Sequence, residues 1–167
     1  MNVQIERALP QDAAQLLDYL KDIGGETDNL TFGAEGLPFT VEQEETFLEE
    51  LLDASHSAMF VAKVEGRIVG DVSVMGTDRA RTKHRADIGI SVRREMWGNG
   101  IGRALMRTII DFAKRADIEI LHLQVRSDNA RAIRLYESFG FVKIGQYKGL
   151  LKIDGELIDC DLMNLYL

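Results

Sequence analysis

Trp97-Gly98-Asn99-Gly100-Ile101-Gly102 is the stretch on which the fold turns. It follows Arg85–Val92, where Ile88, Ile90 and Val92 alternate as in a half-buried strand. It precedes a segment from about Gly102 to Ala116 whose Ala104, Leu105, Ile109, Phe112 and Ala113 fall on one helical face. Glycines one residue apart let the backbone take positive φ and let an anion approach it closely. The helix behind them offers unpaired N–H groups and the positive end of its dipole. Strand, glycine loop and helix together read as a cradle for pyrophosphate. Two other anion loops fail on the letters. A nucleoside-triphosphate loop ends in Gly-Lys-Ser/Thr, and here Gly102 is followed by Arg103-Ala104. A dinucleotide fingerprint needs G-x-G-x-x-G early in a repeating βαβ pattern, whereas this G-x-G-x-G comes late, after an antiparallel-looking meander.

Upstream of the loop, Val3–Arg7 reads as a first strand. Pro10 suits a first helical turn, Ala13, Leu16, Leu17 and Leu20 recur at helical spacing, and Gly24-Gly25 ends that helix. Glu26–Phe39, with Gly33, Gly36 and Pro38, reads as a loop. Thr40 and Gln43 stand at capping-box spacing before Phe47, Leu48, Leu51 and Leu52. Met59–Val64 and Arg67–Met75 flank a tight turn at Glu65-Gly66, and Thr77–Lys83 is a polar, basic connection. Downstream, Glu119–Arg126 is an apolar strand. Asn129–Phe139 is a helix, with Gly140 where a left-handed cap belongs. Phe141–Lys152 and Glu156–Leu167 form a hairpin around Asp154-Gly155. The order βααβββαβαββ describes one α/β (α+β) domain over residues 1–167, with a mixed, mostly antiparallel sheet.

The chain has 167 residues, 46% hydrophobic and 28% charged, which supports a packed core and excludes global disorder. A single Cys excludes an internal disulfide framework and a multi-Cys zinc site, and His56, His84 and His122 lack metal-ligand spacing, so no metal is expected. No apolar run approaches the length of a membrane span, and Met1-Asn2-Val3-Gln4-Ile5-Glu6-Arg7 lacks the shape of a signal peptide. A cytoplasmic protein with no membrane partner is the expectation. The net charge of −7 argues against nonspecific nucleic-acid binding. It is unevenly spread: residues 1–57 carry −11 and residues 58–167 carry +4, with positive charge dense from Arg79 to Arg94 and again at Arg126, Arg131 and Arg134. A basic two-thirds suits an anionic ligand; an acidic third suits a cationic one, or is solvated helix surface.

Three segments resemble the GNAT superfamily of acetyl-CoA-dependent N-acetyltransferases. They are Asp87-Ile88-Gly89-Ile90-Ser91-Val92 running into Trp97–Leu105, then Leu123-Gln124-Val125-Arg126-Ser127-Asp128-Asn129-Ala130-Arg131-Ala132-Ile133, and then Leu135-Tyr136-Glu137-Ser138-Phe139-Gly140-Phe141. The order of elements resembles that family along nearly the whole chain. The resemblance implies a sheet whose strands splay to hold acetyl-CoA as cosubstrate. It implies that the backbone around Ile90, Ser91 and Val92 pairs with the pantetheine arm, with the N–H near Val92 holding the developing oxyanion. It implies that the N–H groups of Gly98, Asn99, Gly100, Ile101, Gly102 and Arg103 bind the pyrophosphate. Asn129 and Ala132 would meet the pantetheine or its phosphate end, and Tyr136 would give a proton to the departing thiolate. Trp97 is a departure: the family often carries Gln or Arg there, so a side-chain contact to phosphate is removed while a backbone cradle survives. Trp97 offers a ring for adenine to stack on, or packing for the helix start.

Transfer to an amine needs that amine neutral, and a free alkylammonium has a pKa near that of Lys, ~10.4, so a base or water chain must take its proton. Asp87 occupies the strand position where related enzymes often carry an acid acting through water; the plain alternative is a surface carboxylate paired with Arg85. Glu26 and Glu35 are further candidates on the loop. The expected reaction is direct transfer of acetyl to a primary amine on a small molecule or a protein, with a non-catalytic acetyl-CoA-binding regulator as the alternative. A cationic acceptor such as a polyamine, amino acid or aminoglycoside suits the acidic first third. The final hairpin offers strands for pairing with a second copy, as a homodimer.

Overall fold

Alternating apolar residues separated by tight turns lay seven strands into one sheet, in the order β1-β2-β3-β4-β5-β7-β6. The computed structural model describes residues 1–167. The strands are β1 Val3–Arg7, β2 Ala58–Val64, β3 Arg67–Gly76, β4 Arg85–Val92, β5 Ile120–Arg126, β6 Val142–Ile153 and β7 Glu156–Tyr166. The helices are α1 Ala13–Glu26, α2 Val41–Asp53, α3 Ile101–Arg115 and α4 Ala130–Ser138. Both expected hairpin turns take positive φ at both central residues, Glu65 at 50° with Gly66 at 78° and Asp154 at 49° with Gly155 at 82°. That geometry matches the twist of the strands it joins. The Thr40 capping box forms as its spacing predicts: Thr40 Oγ1 accepts from the Gln43 N–H at 3.1 Å, and Gln43 Oε1 from the Thr40 N–H at 2.9 Å.

Both faces of the sheet are covered. One face packs on α3 and α4 through Leu105, Met106, Ile109 and Tyr136; the other packs on α1 and α2 through Leu16, Tyr19, Leu48 and Ile68. Leu105 and Ile109 are fully buried, so truncation of either to Ala would cost roughly 2–5 kcal/mol. α1 stops at Glu26, one residue beyond Gly24-Gly25, where the sequence places its end. A Cβ on Gly24 would lie 2.0 Å from the Gly33 carbonyl oxygen, so the residue is small because the following loop lies down on the helix.

The sheet opens at one seam. β4 and β5, its only parallel neighbours, pair at Arg85↔Ile120, Ala86↔Leu121 and Asp87↔His122 and then part. β4 nevertheless continues against β3 as far as Val92↔Gly70, and β5 against β7 as far as Arg126↔Cys160. Each strand is held on its outer side by an antiparallel partner, so the two can diverge without either losing its ladder.

Candidate active site

Backbone direction decides what faces the opening. The His84 carbonyl accepts from Glu119 and Ile120 N–H groups at 2.7 and 3.1 Å, while the Arg93 N–H donates to Val69 of β3 at 2.9 Å. Backbone groups alternate sides along a strand, so Ile90 and Val92 turn theirs into the split and Ser91 turns its own toward β3. The Val92 carbonyl takes the Trp97 indole N–H at 2.8 Å, leaving the Val92 N–H facing the split. Ser91, grouped with its neighbours by sequence, points elsewhere: its hydroxyl donates to Asp71 and meets the Tyr19 hydroxyl at 2.8 Å on the α1 face.

The glycine loop closes one end of the cleft. Gly98 and Gly100 have φ of 83° and 78°, and a Cβ at either would meet nothing within 4 Å. The space they face is thus kept open and their backbone is bare. Gly100 caps α3 with no side-chain hydrogen bond, and no acid stands in the first turn, so the N–H groups of Ile101, Gly102 and Arg103 remain available to an anion. The Asn99 amide donates to the Met96 carbonyl at 3.1 Å and holds the turn, outside the cleft lining. Trp97 is clasped by cations, with the Arg131 guanidinium 4.4 Å and that of Arg94 5.5 Å from its ring centroid, and so ties the loop to the start of α4.

α4 begins differently. Asn129 Oδ1 accepts from the Ala132 N–H at 3.2 Å, which engages both of these expected cofactor contacts in a cap and leaves only the Asn129 amide NH2 to donate outward. About two turns on, Tyr136 is 8% exposed, with its ring 5.9 Å from that of Phe141. Its hydroxyl has no protein partner yet is not sealed in, and the residue lines the cleft. Burial pushes its phenol up to about 12, so it stands protonated as a donor.

The cleft between these elements measures about 790 Å³. Arg103, Arg131 and Arg134 line it on the α3 and α4 side, so the residues present fit a phosphorylated carrier laid along β4. On the opposite side lie Asp87, Glu26 and Asp71. Asp87 is exposed and makes no ion pair with Arg85. Glu26 accepts from the Arg94 N–H at 2.9 Å. Glu35 folds onto its own loop, accepting from the Gly33 N–H at 2.9 Å, and does not line the cleft. Asp71 was missed in the sequence, although a lone Asp within Ile68–Val74 was the available signal; burial pushes its carboxyl up to about 6 despite the Ser91 hydrogen bond. No group of three His, Cys, Asp or Glu gathers to hold a metal, and Cys160 is buried.

A mixed sheet split between two parallel strands, closed by a bare helix N-terminus and overlooked by a buried phenol, defines an acyl-transfer fold. The Acetyltransferase (GNAT) family profile matches residues 26–141. The chain is 33% identical over 116 residues to the L-amino acid N-acetyltransferase AaaT of Escherichia coli, covering 69% of this chain and 72% of that protein. It is 31% identical over 104 residues to the N-alpha-acetyltransferase RimI of Mycobacterium tuberculosis, covering 62% and 64%. The crystal structure of an acetyltransferase of the GNAT family from Streptococcus pneumoniae superposes with a TM-score of 0.96 over 99% of both chains, at 30% identity. The chain belongs to the GNAT acetyltransferase family, and is an N-acetyltransferase using acetyl-CoA.

Proposed function

We propose that the protein moves acetyl from acetyl-CoA to a primary amine by direct attack, with both substrates bound at once. The observation that carries this is the end of β4–β5 pairing at Asp87↔His122 while both strands continue. Acetyl-CoA supplies the activated acyl carbon and a thiol leaving group. Ile90 and Val92 present unpaired backbone to the carrier's arm, and the Val92 N–H stabilises charge on the acyl oxygen. The N–H groups of Gly98 to Arg103 hold the pyrophosphate, with the Asn129 amide as a further donor. Tyr136 donates a proton to the thiolate, its high pKa keeping that proton in place until the sulfur needs it. Asp87, exposed at the cleft mouth, passes the acceptor's proton to solvent through water. A cytoplasmic location and a homodimer belong to the same proposal; the latter is supported by β6, an edge strand exposing Val142, Ile144 and Tyr147. No helix is long and apolar enough to cross a membrane.

Calorimetry with acetyl-CoA, followed by a thiol-release screen across amines, peptides and aminoglycosides, tests the reading. Saturable binding and amine-dependent release are expected. No heat from acetyl-CoA or CoA with folded protein overturns it, and binding without release under every acceptor makes the protein a regulator.

A further inference from the structure

Gly89 stands between Asp87 and Ser91 on the face of β4 that looks toward α1, and β3 places Ser73 opposite Gly89 and Asp71 opposite Ser91. A Cβ on Gly89 would meet only the Ser73 hydroxyl, at 3.5 Å, and its φ lies outside the left-handed region. Neither packing nor backbone strain requires a glycine there, so the bare floor is room for a ligand. Leu20, Ile23, Phe32, Leu37 and Met59 line the space above it. The loop over residues 27–39 roofs it, tied down on both sides. Gly33 rests on Gly24 of α1, and across the cleft Arg126 Nη1 donates to the Asp28 carbonyl at 3.3 Å; the Arg94 guanidinium steadies the end of α1 before the loop through the Glu26 carbonyl. A roof fastened at both edges suits a small molecule and not a threaded polypeptide.

One charge is buried in that floor. Asp71 is 7% exposed. Its Oδ1 accepts from the Ser91 hydroxyl, which is itself held by the Tyr19 phenol at 2.8 Å, while Oδ2 takes no donor from the protein and opens on the cleft. Burial keeps Tyr19 protonated, so the chain of hydrogen bonds runs from Tyr19 through Ser91 to Asp71. β2 sets only Val61 against it. On the same side Arg93 covers the Tyr19 ring at 5.1 Å and is paired with Asp22 at 3.0 Å and Glu26 at 3.7 Å. The other titratable groups lining this side are the acids Glu26 and Asp87 and the imidazole of His122, which β5 sets opposite Asp87 and whose Nδ1 meets the Asn164 amide oxygen at 2.8 Å; the lining arginines stand on the opposite wall.

We infer that this chamber takes a small primary amine carried on an uncharged, apolar body, and that Asp71 receives its ammonium and accepts its proton. The inference rests on the acetyl-transfer reading and names its substrate class; it replaces the polyamine or aminoglycoside that the acidic first third suggested, because the walls are apolar. Asp71 takes one proton from the ammonium. The nitrogen lone pair forms the C–N bond to the acyl carbon as the C–S bond breaks, and Tyr136 protonates the sulfur. The second nitrogen proton restores Tyr136, and the proton on Asp71 leaves by water near Asp87, so one proton is released per turnover. A carboxyl near 6 is ionised at neutral pH, so it can pair with the ammonium and stands unprotonated to accept a proton as the nitrogen attacks.

The test uses the full chain with phenethylamine and spermidine as acceptors, thiol release as the readout and calorimetry for acetyl-CoA. Phenethylamine is expected to have a kcat/KM at least ~10-fold above spermidine, falling with acid through about pH 6. Asp71→Asn is expected to lower it roughly 10²–10⁴-fold and abolish that acid limb, with acetyl-CoA affinity within about twofold of the wild type and an unfolding transition retained. Asp71→Glu should restore the limb, which a purely structural role would not do. Preference for spermidine, no turnover of either amine by a protein that binds acetyl-CoA, or an unchanged acid limb in Asp71→Asn overturns the inference alone. Absence of acetyl-CoA binding by the wild type overturns the reading beneath it as well.

Discussion

The two walls of the cleft are made of different material. The donor wall, from β4 through the glycine loop to α4, works mainly with backbone: N–H groups left free by the strand split, by Gly98 and Gly100, and by an α3 terminus that no side chain caps. The wall proposed for the acceptor presents side chains drawn from α1, β2, β3, β4 and the loop over residues 27–39. A backbone anion site needs only a local pattern of glycines and a helix start, and it tolerates a change such as Trp97. A side-chain chamber is specified by whichever residues several elements happen to bring together, and each can be exchanged separately to change what it takes.

That division can be broken or sharpened by substitution. The largest effect is expected from Tyr136→Phe, a loss in kcat of roughly 10²–10⁴ with acetyl-CoA affinity within about twofold; steady-state kinetics beside calorimetry checks it, and unchanged turnover would leave the donor wall a binding surface only. Next is Gly100→Val. A β-branched residue at φ 78° is strained by about 1–2 kcal/mol, and its side chain would stand in the space kept for the anion. The Kd for acetyl-CoA should rise ~10–100-fold while the amine KM moves little. Gly89→Val should do the opposite, raising the amine KM about 10-fold with acetyl-CoA binding unaltered, since it fills the acceptor floor without meeting backbone. If either glycine variant disturbs both substrates equally, the walls are not separate.

The smallest effect is on stability. Asp71 has a folded pKa raised from 3.8 to about 6, so the folded state holds its proton more tightly than the unfolded chain. The stabilising contribution is complete below about pH 4 and disappears as pH rises through about 6. Asp71→Asn should therefore unfold at a higher temperature than the wild type at pH 7.5, by an amount worth about 1 kcal/mol because Oδ2 still reaches the cleft, and should match it near pH 3.5. Thermal unfolding at the two pH values measures this; equal gains at both would show that the carboxylate is not strained by its burial.

Much of the donor wall was legible because its signals are local. The alternation in Ile88, Ile90 and Val92, the spacing of Gly98, Gly100 and Gly102, and the amphipathic run after them lie within one short stretch, and each has a direct backbone consequence. Gly24-Gly25 marks the end of α1, but the close approach that Gly24 also permits was not legible, because its partner, Gly33, is not adjacent in the chain. For Asn129 the local part is a cap its spacing did not announce: its Oδ1 takes the Ala132 N–H of its own helix, and only its amide NH2 is left for a ligand. Asp71 was passed over because a charged residue in an apolar strand has no meaning until Ser91, Tyr19 and Gly89 stand around it.

By itself the sequence determined the order of elements, both hairpin turns, the capping box at Thr40 and the glycine loop that opens α3, since hydrophobic period, turn residues and cap spacing act over a few residues. Only the tertiary structure decided that β4 and β5 part after Asp87, that Ser91 turns its hydroxyl away from the split, and that a bare glycine lies beside a buried carboxylate on the α1 side of the cleft. Those features depend on which strands become neighbours and which faces helices cover, and such contacts join residues far apart in the chain.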